Sequence, residues 1–137
     1  MTDVIAFFPG QGAQHTGMLK DLAADFPVVE ETFREASEAI NQDLWALAQD
    51  APADELNLTY NTQPALLAAS VAVWRVIKAQ CPALNVVAAA GHSLGEYSAL
   101  VAANALDFAD AVRLVKKRGQ LMDAAVPAGQ GGMAAVL

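Results

Sequence analysis

Residues 90–99 read AGHSLGEYSA, and this stretch decides the fold. Ser93 lies between Gly91 and Gly95, at the junction of an apolar run typical of a strand and a segment typical of a helix. A G-x-S-x-G motif at such a junction is typical of a nucleophile elbow, a strained turn that lifts the serine hydroxyl above a sheet. Small residues are needed beside the serine because strand and helix approach each other closely there. The sequence therefore predicts an elbow centred on Ser93.

Ser93 is the predicted nucleophile of this turn, and it would carry an acyl group as an ester. The amide of Leu94 is unpaired at the start of the helix and is the predicted donor to the oxyanion that forms on attack. A second interpretation is a helix capping box, in which Ser93 only accepts an amide hydrogen bond and Glu96 returns one. Capping does not require Gly91, and a glycine inside the helix, Gly95, costs stability. The elbow is therefore the favoured interpretation.

The rest of the chain predicts an α/β protein with a parallel sheet. Strands are expected at residues 4–8 and 86–91, the first of them buried on both faces because its residues are continuously apolar. Helices are expected at residues 17–25, 27–40, 44–49, 62–80, 94–103 and 107–125. A loop at 126–132 and a third strand at 133–137 complete the order. Three strands are fewer than a sheet usually contains, which indicates the N-terminal part of a longer protein.

A second backbone donor is predicted in the loop after the first strand. Residues 10–12 read GQG and leave the sheet at the same edge as Ser93, where ligands bind in parallel sheets. The amide of Gln11 is the predicted partner of the Leu94 amide in an oxyanion hole. Taken alone, a G-x-G sequence is more often a plain tight turn.

Arg118 is the predicted binding group for an anion. On the helix at 107–125 the apolar residues form one stripe, and Arg118 lies at its margin, three residues after Val115. An arginine beside a buried face requires an anion, and its planar guanidinium matches a carboxylate. Gly119 indicates close backbone packing that would hold the side chain in place. An internal ion pair, or a side chain that extends to water along the apolar surface, is an equally good interpretation.

The sequence of this chain offers no favoured general base for Ser93. Serine needs a base, usually a histidine, and the chain contains His15 and His92. Because His92 directly precedes Ser93, its side chain is expected to point away from the hydroxyl. His15 is expected to be a solvent or packing contact. In enzymes with this elbow the histidine follows the serine in sequence, and no histidine follows Ser93 here. The base is therefore expected to lie outside this chain.

Composition excludes several classes of function. The chain has 8 basic and 15 acidic residues, and its formal net charge of −7 is the wrong sign for binding duplex nucleic acid. The single cysteine, Cys81, excludes an internal disulfide, and a buried or incidental thiol in a reducing compartment is expected. No basic residue of a signal peptide precedes Lys20, and the longest apolar run, residues 64–74, is too short to cross a bilayer. A cytoplasmic protein without nucleic-acid or membrane partners is expected.

Five short motifs carry a resemblance to a known family. They are FPGQGAQ at 8–14, TQPA at 62–65, GHSLGEYSA at 91–99, RG at 118–119 and GMAAV at 132–136. In this order they resemble the malonyl-CoA:acyl carrier protein transacylases of fatty acid synthesis, over essentially the whole chain. The resemblance implies the N-terminal part of an α/β-hydrolase-like three-layer acyltransferase core at residues 1–126. It implies a linker and the first strand of a truncated ferredoxin-like subdomain at residues 127–137.

The same resemblance implies a ping-pong acyl transfer. Ser93 would take malonyl from malonyl-CoA as an ester and pass it to the phosphopantetheine thiol of acyl carrier protein. The amides of Gln11 and Leu94 would form the oxyanion hole, and Arg118 would bind the free malonyl carboxylate and favour malonyl over acetyl. Malonyl-CoA, acyl carrier protein and the missing C-terminal half are the implied partners, and no cofactor or metal is implied. Since the family carries its histidine beyond position 137, the chain alone is expected to be inactive.

Two other functions are compatible with these residues. A serine hydrolase of the lipase or esterase type shares the elbow, but it needs an apolar acyl pocket and gives Arg118 no role. A non-catalytic module that binds a carrier protein would use the basic residues of the last helix, Arg113, Lys116 and Lys117 with Arg118, to attract an acidic partner. A basic run on an acidic protein is usually only a solvated surface.

Overall fold

Two parallel strands carry the predicted turn at one edge. The computed structural model describes residues 2–127 and 129–132. β1 spans Thr2–Phe8 and β2 spans Leu84–Gly91, and they pair in parallel from end to end. Because parallel strands run in the same direction, the ends of β1 and β2 lie side by side at the edge where ligands bind in such sheets. The predicted α/β order with a parallel sheet is confirmed. The third predicted strand, at 133–137, lies outside the described residues.

Seven helices among the described residues connect and flank the strands. They are α1 Lys20–Asp25, α2 Val28–Ile40, α3 Leu44–Asp50, α4 Ala53–Leu56, α5 Thr59–Gln80, α6 Leu94–Ala102 and α7 Phe108–Ala125. Six of them correspond to predicted helices. The four-residue helix α4 was not predicted, because residues 51–53 read APA and indicate only an interruption.

Two helix starts differ from the prediction by more than one residue. α1 begins at Lys20 rather than at residue 17, since Gly17 and Leu19 have φ of 84° and 63°, in the left-handed region that a right-handed helix cannot use. α5 begins at Thr59 rather than at residue 62. Pro64 therefore lies in the second turn of α5 rather than the first, where it removes one backbone hydrogen bond of the helix.

The core is built around α5. Residues 61–72 of this helix are buried without interruption, and α5 packs against α2, α6 and α7. Its many alanines let the neighbouring helices approach closely. The apolar stripe predicted on the last helix is confirmed, because α7 buries Phe108, Ala111, Val112, Val115 and Gly119. Each large apolar side chain in this core contributes about 1.5–3 kcal/mol relative to an exposed position.

The sheet is less buried than predicted. Ile5 is 55% exposed and Phe7 is 78% exposed, so the expectation that the first strand is buried on both faces is wrong for the described residues. The physical reason is the width of the sheet, since two strands leave side chains that no described element covers. Cys81 is exposed as well. The expectation of a buried thiol is therefore wrong, and the interpretation as an incidental thiol remains. No helix in the described part of the chain has the length and apolarity needed to cross a membrane.

Candidate active site

Ser93 occupies the turn between β2 and α6, where the elbow is predicted. β2 ends at Gly91 and α6 begins at Leu94, and Ser93 between them has φ 53° and ψ −110°. Such a backbone conformation costs a residue with a side chain about 1–3 kcal/mol. The Ser93 side chain accepts no amide hydrogen bond at the start of α6. The interpretation of Ser93 and Glu96 as a capping box is therefore wrong.

Glycines allow three backbone segments to meet at this turn. A Cβ atom on Gly91 would lie 2.0 Å from the carbonyl oxygen of Gly95, and one on Gly95 would lie 2.2 Å from that of Phe8. A Cβ atom on Gly10 would lie 2.7 Å from the carbonyl oxygen of His92. Real Cβ atoms essentially never approach a neighbour closer than 3.0 Å, so only glycine fits at these three positions. The ends of both strands and the start of α6 are thus in direct backbone contact.

Two backbone amides near the turn are free to bind an oxyanion. Among the residues that the structure describes, the amides of Gln11 and Leu94 donate no hydrogen bond. The amides that follow them are occupied: that of Gly95 donates to a backbone carbonyl oxygen at 3.0 Å, and that of Gly12 donates to Gln14 Oε1 at 2.7 Å. Gln11 in the loop after β1 and Leu94 at the start of α6 thus leave their amides unused, as donors of an oxyanion hole must.

The Arg118 guanidinium contacts the predicted nucleophile. Nη2 donates to Ser93 Oγ at 3.0 Å, and Nη1 donates to Gln63 Oε1 at 2.8 Å. The guanidinium carbon lies 5.5 Å from the centre of the Tyr97 ring, which is a cation–π distance. Arg118 pairs with no carboxylate within the described ranges. The internal ion pair considered for Arg118 is therefore wrong, and its charge is available to an anion that approaches Ser93.

Close packing of α7 against the start of α5 holds Arg118 in place. A Cβ atom on Gly119 would lie 2.5 Å from Tyr60 Cα and 2.9 Å from the carbonyl oxygen of Thr59. The two helices are therefore in backbone contact beside Arg118. This confirms the close approach that Gly119 predicts.

Sequence reasoning missed the residues that surround the guanidinium. Gln63 is 1% exposed, and its Nε2 donates to Thr59 Oγ1 at 3.0 Å and to Met122 Sδ at 3.3 Å. Thr59 Oγ1 donates in turn to Gln11 Oε1 at 3.2 Å. A hydrogen-bonded chain thus runs from the loop after β1 to the guanidinium. The sequence does contain one signal for this role: Gln63 falls inside an apolar helix. A buried amide needs hydrogen-bond partners, so its position indicates a polar contact.

Neither histidine contacts the Ser93 hydroxyl. Ser93 Oγ accepts its one observed hydrogen bond from Arg118 among the described residues. His92 Nδ1 lies beside Gly10, 3.6 Å from where a Cβ atom on that glycine would stand. His15 lines an apolar cavity that includes neither Ser93 nor Arg118. The described residues therefore bring the predicted nucleophile near the predicted backbone donors and a cation, and among them no base contacts the serine.

The apolar cavity lies between the two strands and α5. It has a volume of about 480 Å³, and Phe8, Leu66 and Trp74 contribute to its wall, with the Phe8 and Trp74 rings edge to face at 5.9 Å. Because Ser93 does not line it, this cavity is not the acyl pocket that the esterase interpretation needs beside the nucleophile. The described side chains form no cluster of three or more potential metal ligands.

A strained serine at a strand-to-helix turn, close to unused backbone amides, is typical of enzymes that hold an acyl group as a serine ester. The family model for the acyl transferase domain matches residues 6–137. The chain therefore belongs to the acyl transferase domain family.

Relatives with curated names match the chain from end to end. It is similar to the malonyl CoA-acyl carrier protein transacylase of Salmonella typhimurium, with 60% identity over 140 residues, and to that of Bacillus subtilis strain 168, with 50% identity over 137 residues. The alignments cover 100% of this chain but only 44% and 43% of those relatives. The chain thus spans less than half the length of these curated relatives and corresponds to their N-terminal part.

Solved structures show the same fold. An acyl carrier protein S-malonyltransferase from Vibrio cholerae superimposes with a TM-score of 0.85 at 60% identity, over 91% of this chain and 40% of that chain. A malonyl-transacylase in complex with its type II PKS acyl-carrier protein gives a TM-score of 0.89 at 58% identity, over 93% of this chain and 41% of that chain. The predicted resemblance is confirmed.

Proposed function

We propose that this chain is the nucleophile-bearing part of an enzyme that transfers malonyl from malonyl-CoA, through an ester on Ser93, to the phosphopantetheine thiol of acyl carrier protein in fatty acid biosynthesis. The observation that carries the proposal is the 3.0 Å contact between Arg118 Nη2 and Ser93 Oγ. It puts a positive charge within reach of the distal carboxylate of a malonyl group on that oxygen. The names of the relatives and the complex with an acyl-carrier protein support the same substrates.

The reaction has two balanced halves. Ser93 Oγ attacks the thioester carbonyl, its proton passes to a base, and the Gln11 and Leu94 amides stabilise the oxyanion. The C–S bond then breaks, and coenzyme A leaves as the thiol with that proton. In the second half the carrier thiol gives up its proton to the base and attacks the Ser93 ester, and the hydroxyl is regenerated as the malonyl thioester departs. We assign the base to a histidine in the part of the relatives that this chain does not cover.

Arg118 selects the acyl group in this proposal. A malonyl carboxylate replaces the Ser93 hydroxyl as the partner of Nη2 and pairs with the guanidinium in a charge-assisted hydrogen bond. An acetyl group offers no such partner and leaves a partly buried cation without an anion. The selectivity therefore arises from a penalty against acetyl as well as from attraction to malonyl.

The finer architecture belongs to the same proposal. Residues 1–126 form part of an α/β-hydrolase-like three-layer acyltransferase core, and residues 127–137 form a linker and the first strand of a ferredoxin-like subdomain. The reaction uses no cofactor or metal, because serine, amides, arginine and a base account for every step. A cytoplasmic location belongs to the same proposal, since a single cysteine in this chain, Cys81, is usual for a protein of a reducing compartment.

Intact-mass measurement of the acylated serine tests the proposal. The chain is prepared alone and joined to the remaining part of the Salmonella relative, here called the completed enzyme, and is incubated with malonyl-CoA. A malonyl adduct is expected on the completed enzyme and is expected to be absent from Ser93→Ala. Ser98→Ala is the matched control, since the buried Ser98 hydroxyl in α6 has no hydrogen-bond partner within the described part of the chain and its loss should leave the adduct unchanged. The chain alone should label weakly because it lacks the base.

Two results would contradict the transacylase. Equal labelling by acetyl-CoA and malonyl-CoA with Arg118 intact would favour the hydrolase. No adduct on the completed enzyme would favour a module that binds a carrier protein without turnover.

A further inference from the structure

A neutral side chain, rather than a carboxylate, holds the Arg118 guanidinium. Gln63 lies in the buried part of α5, and its Oε1 accepts from Arg118 Nη1 at 2.8 Å. A glutamate at this position would have nearly the same shape and would form a stronger, charge-assisted hydrogen bond. It would also neutralise the guanidinium. The amide supplies an anchor and leaves the full positive charge of Arg118 in place.

The orientation of the Gln63 amide is fixed from its other end. Nε2 donates to Thr59 Oγ1 and to Met122 Sδ, so the amide oxygen faces Arg118. The Thr59 hydroxyl has a single proton, which it donates to Gln11 Oε1, and it must therefore accept from Gln63. A rotated amide would set donor against donor at Arg118 and acceptor against acceptor at Thr59 and Met122. In this series of hydrogen bonds from Gln11 to Arg118, each bond thus determines the direction of the next.

We propose that Gln63 is the positioning residue for malonyl selectivity: it fixes Arg118 beside Ser93 and, because it is uncharged, reserves the guanidinium charge for the carboxylate of the acyl group. Thr59 orients Gln63 and connects it to Gln11, on the loop that carries one oxyanion donor. This inference rests on the proposed function. It concerns which acyl group is loaded rather than whether a serine ester forms.

Gln63→Glu in the completed enzyme is the direct test. The new carboxylate pairs with Arg118 and repels the malonyl carboxylate, so the rate of malonyl loading at limiting malonyl-CoA should fall about ten- to hundredfold, the usual value of a charge-assisted hydrogen bond. Acetyl loading should stay near its original rate. Gln42→Glu is the matched control, because Gln42 Oε1 likewise accepts from a cation, Lys116 Nζ at 2.7 Å, outside the site. This control should change neither rate.

Thr59→Val provides a second test with little change of volume. Loss of the hydroxyl frees the Gln63 amide to rotate, and the expected result is a higher KM for malonyl-CoA with kcat for acetyl loading unchanged. Thr16→Val is its control, since the Thr16 hydroxyl donates only to the Ala51 carbonyl oxygen, at 3.1 Å. A role confined to folding would lower loading of both acyl groups together.

The outcomes separate the two proposals. No malonyl ester on the unchanged completed enzyme overturns the proposed function and this inference with it. A malonyl ester that forms normally on Gln63→Glu, with the original preference over acetyl, overturns this inference alone, and so does an equal loss of both activities. If circular dichroism shows that Gln63→Glu is unfolded, Thr59→Val decides, and an unchanged KM for malonyl-CoA then refutes the inference.

Discussion

Replacing Gly119 with alanine should move Arg118 away from Ser93. The added Cβ atom would lie 2.5 Å from Tyr60 Cα and 2.9 Å from the Thr59 carbonyl oxygen. Both neighbours are backbone atoms that cannot rotate aside, and ordinary contacts begin at 3.4 Å. α7 must therefore shift away from α5 by about 1 Å.

This shift affects stability and the site to different degrees. Overpacking costs about 1–3 kcal/mol, while alanine gains about 1 kcal/mol of helix propensity over glycine, so the free energy of unfolding should fall by about 1 kcal/mol. The contact between Arg118 Nη2 and Ser93 Oγ is 3.0 Å long. A displacement of about 1 Å takes it beyond hydrogen-bond range, and a misplacement of that size costs about a hundredfold in rate. Malonyl loading should therefore suffer far more than folding.

Urea unfolding of the chain and malonyl loading of the completed enzyme measure the two effects separately. Gly132→Ala is a control in open space, because among the described residues no atom beyond its chain neighbours lies within 4 Å of the added Cβ. Gln120→Ala is a control on the exposed side of α7. Both should leave stability and loading nearly unchanged. A Gly119→Ala variant that is about 1 kcal/mol more stable and loads malonyl at the original rate would refute the reasoning, because helix propensity alone would then account for the change.

Three further changes have defined outcomes. Gly91→Ala places a Cβ atom 2.0 Å from the Gly95 carbonyl oxygen, so a loss of about 3 kcal/mol or more is expected in urea unfolding, and a loss below 1 kcal/mol would contradict the packing. Arg118→Met should reduce malonyl loading about a hundredfold in intact-mass assays while sparing acetyl, whereas parallel losses would argue against charge recognition. Burial lowers the pKa of Lys116 from 10.5, so the unfolded chain holds this proton more tightly. Wild type should gain stability relative to Lys116→Met as the pH rises from that lowered pKa to 10.5, and the reverse trend in urea unfolding would contradict it.

The sequence was sufficient for features that depend on neighbouring residues. The elbow follows from the spacing of Gly91, Ser93 and Gly95, because the strain at Ser93 and the contact of Gly91 with Gly95 both arise within five positions. The start of α7 follows from Asp107, whose carboxylate accepts from the Asp110 amide at 3.0 Å as a helix cap does. Local patterns therefore located the turn and the helix that supply the site.

Features that depend on distant partners could not be predicted in the same way. Gln63 and Arg118 are 55 residues apart in sequence, and only the packing of α5 against α7 brings them together. The exposure of Phe7 depends on which elements cover the sheet, which the apolar run at 4–8 does not encode. Leu19 has a left-handed backbone inside a helical sequence pattern, and its side chain packs against the core that distant residues build.

The surroundings of Arg118 differ from those of Arg75 and Arg113. Arg75 pairs with Glu35 at 2.7 Å, and Arg113 pairs with Asp110 at 2.8 Å. Acidic residues outnumber basic ones by 15 to 8, so a carboxylate partner is not scarce. Arg118 is nevertheless held by an amide oxygen, a hydroxyl and the face of Tyr97, all of which position a guanidinium without neutralising it. A packing role would be served better by an acid, because pairing offsets the cost of partial burial. The neutral partners therefore support the proposed role of Arg118 as the binding group for a substrate carboxylate.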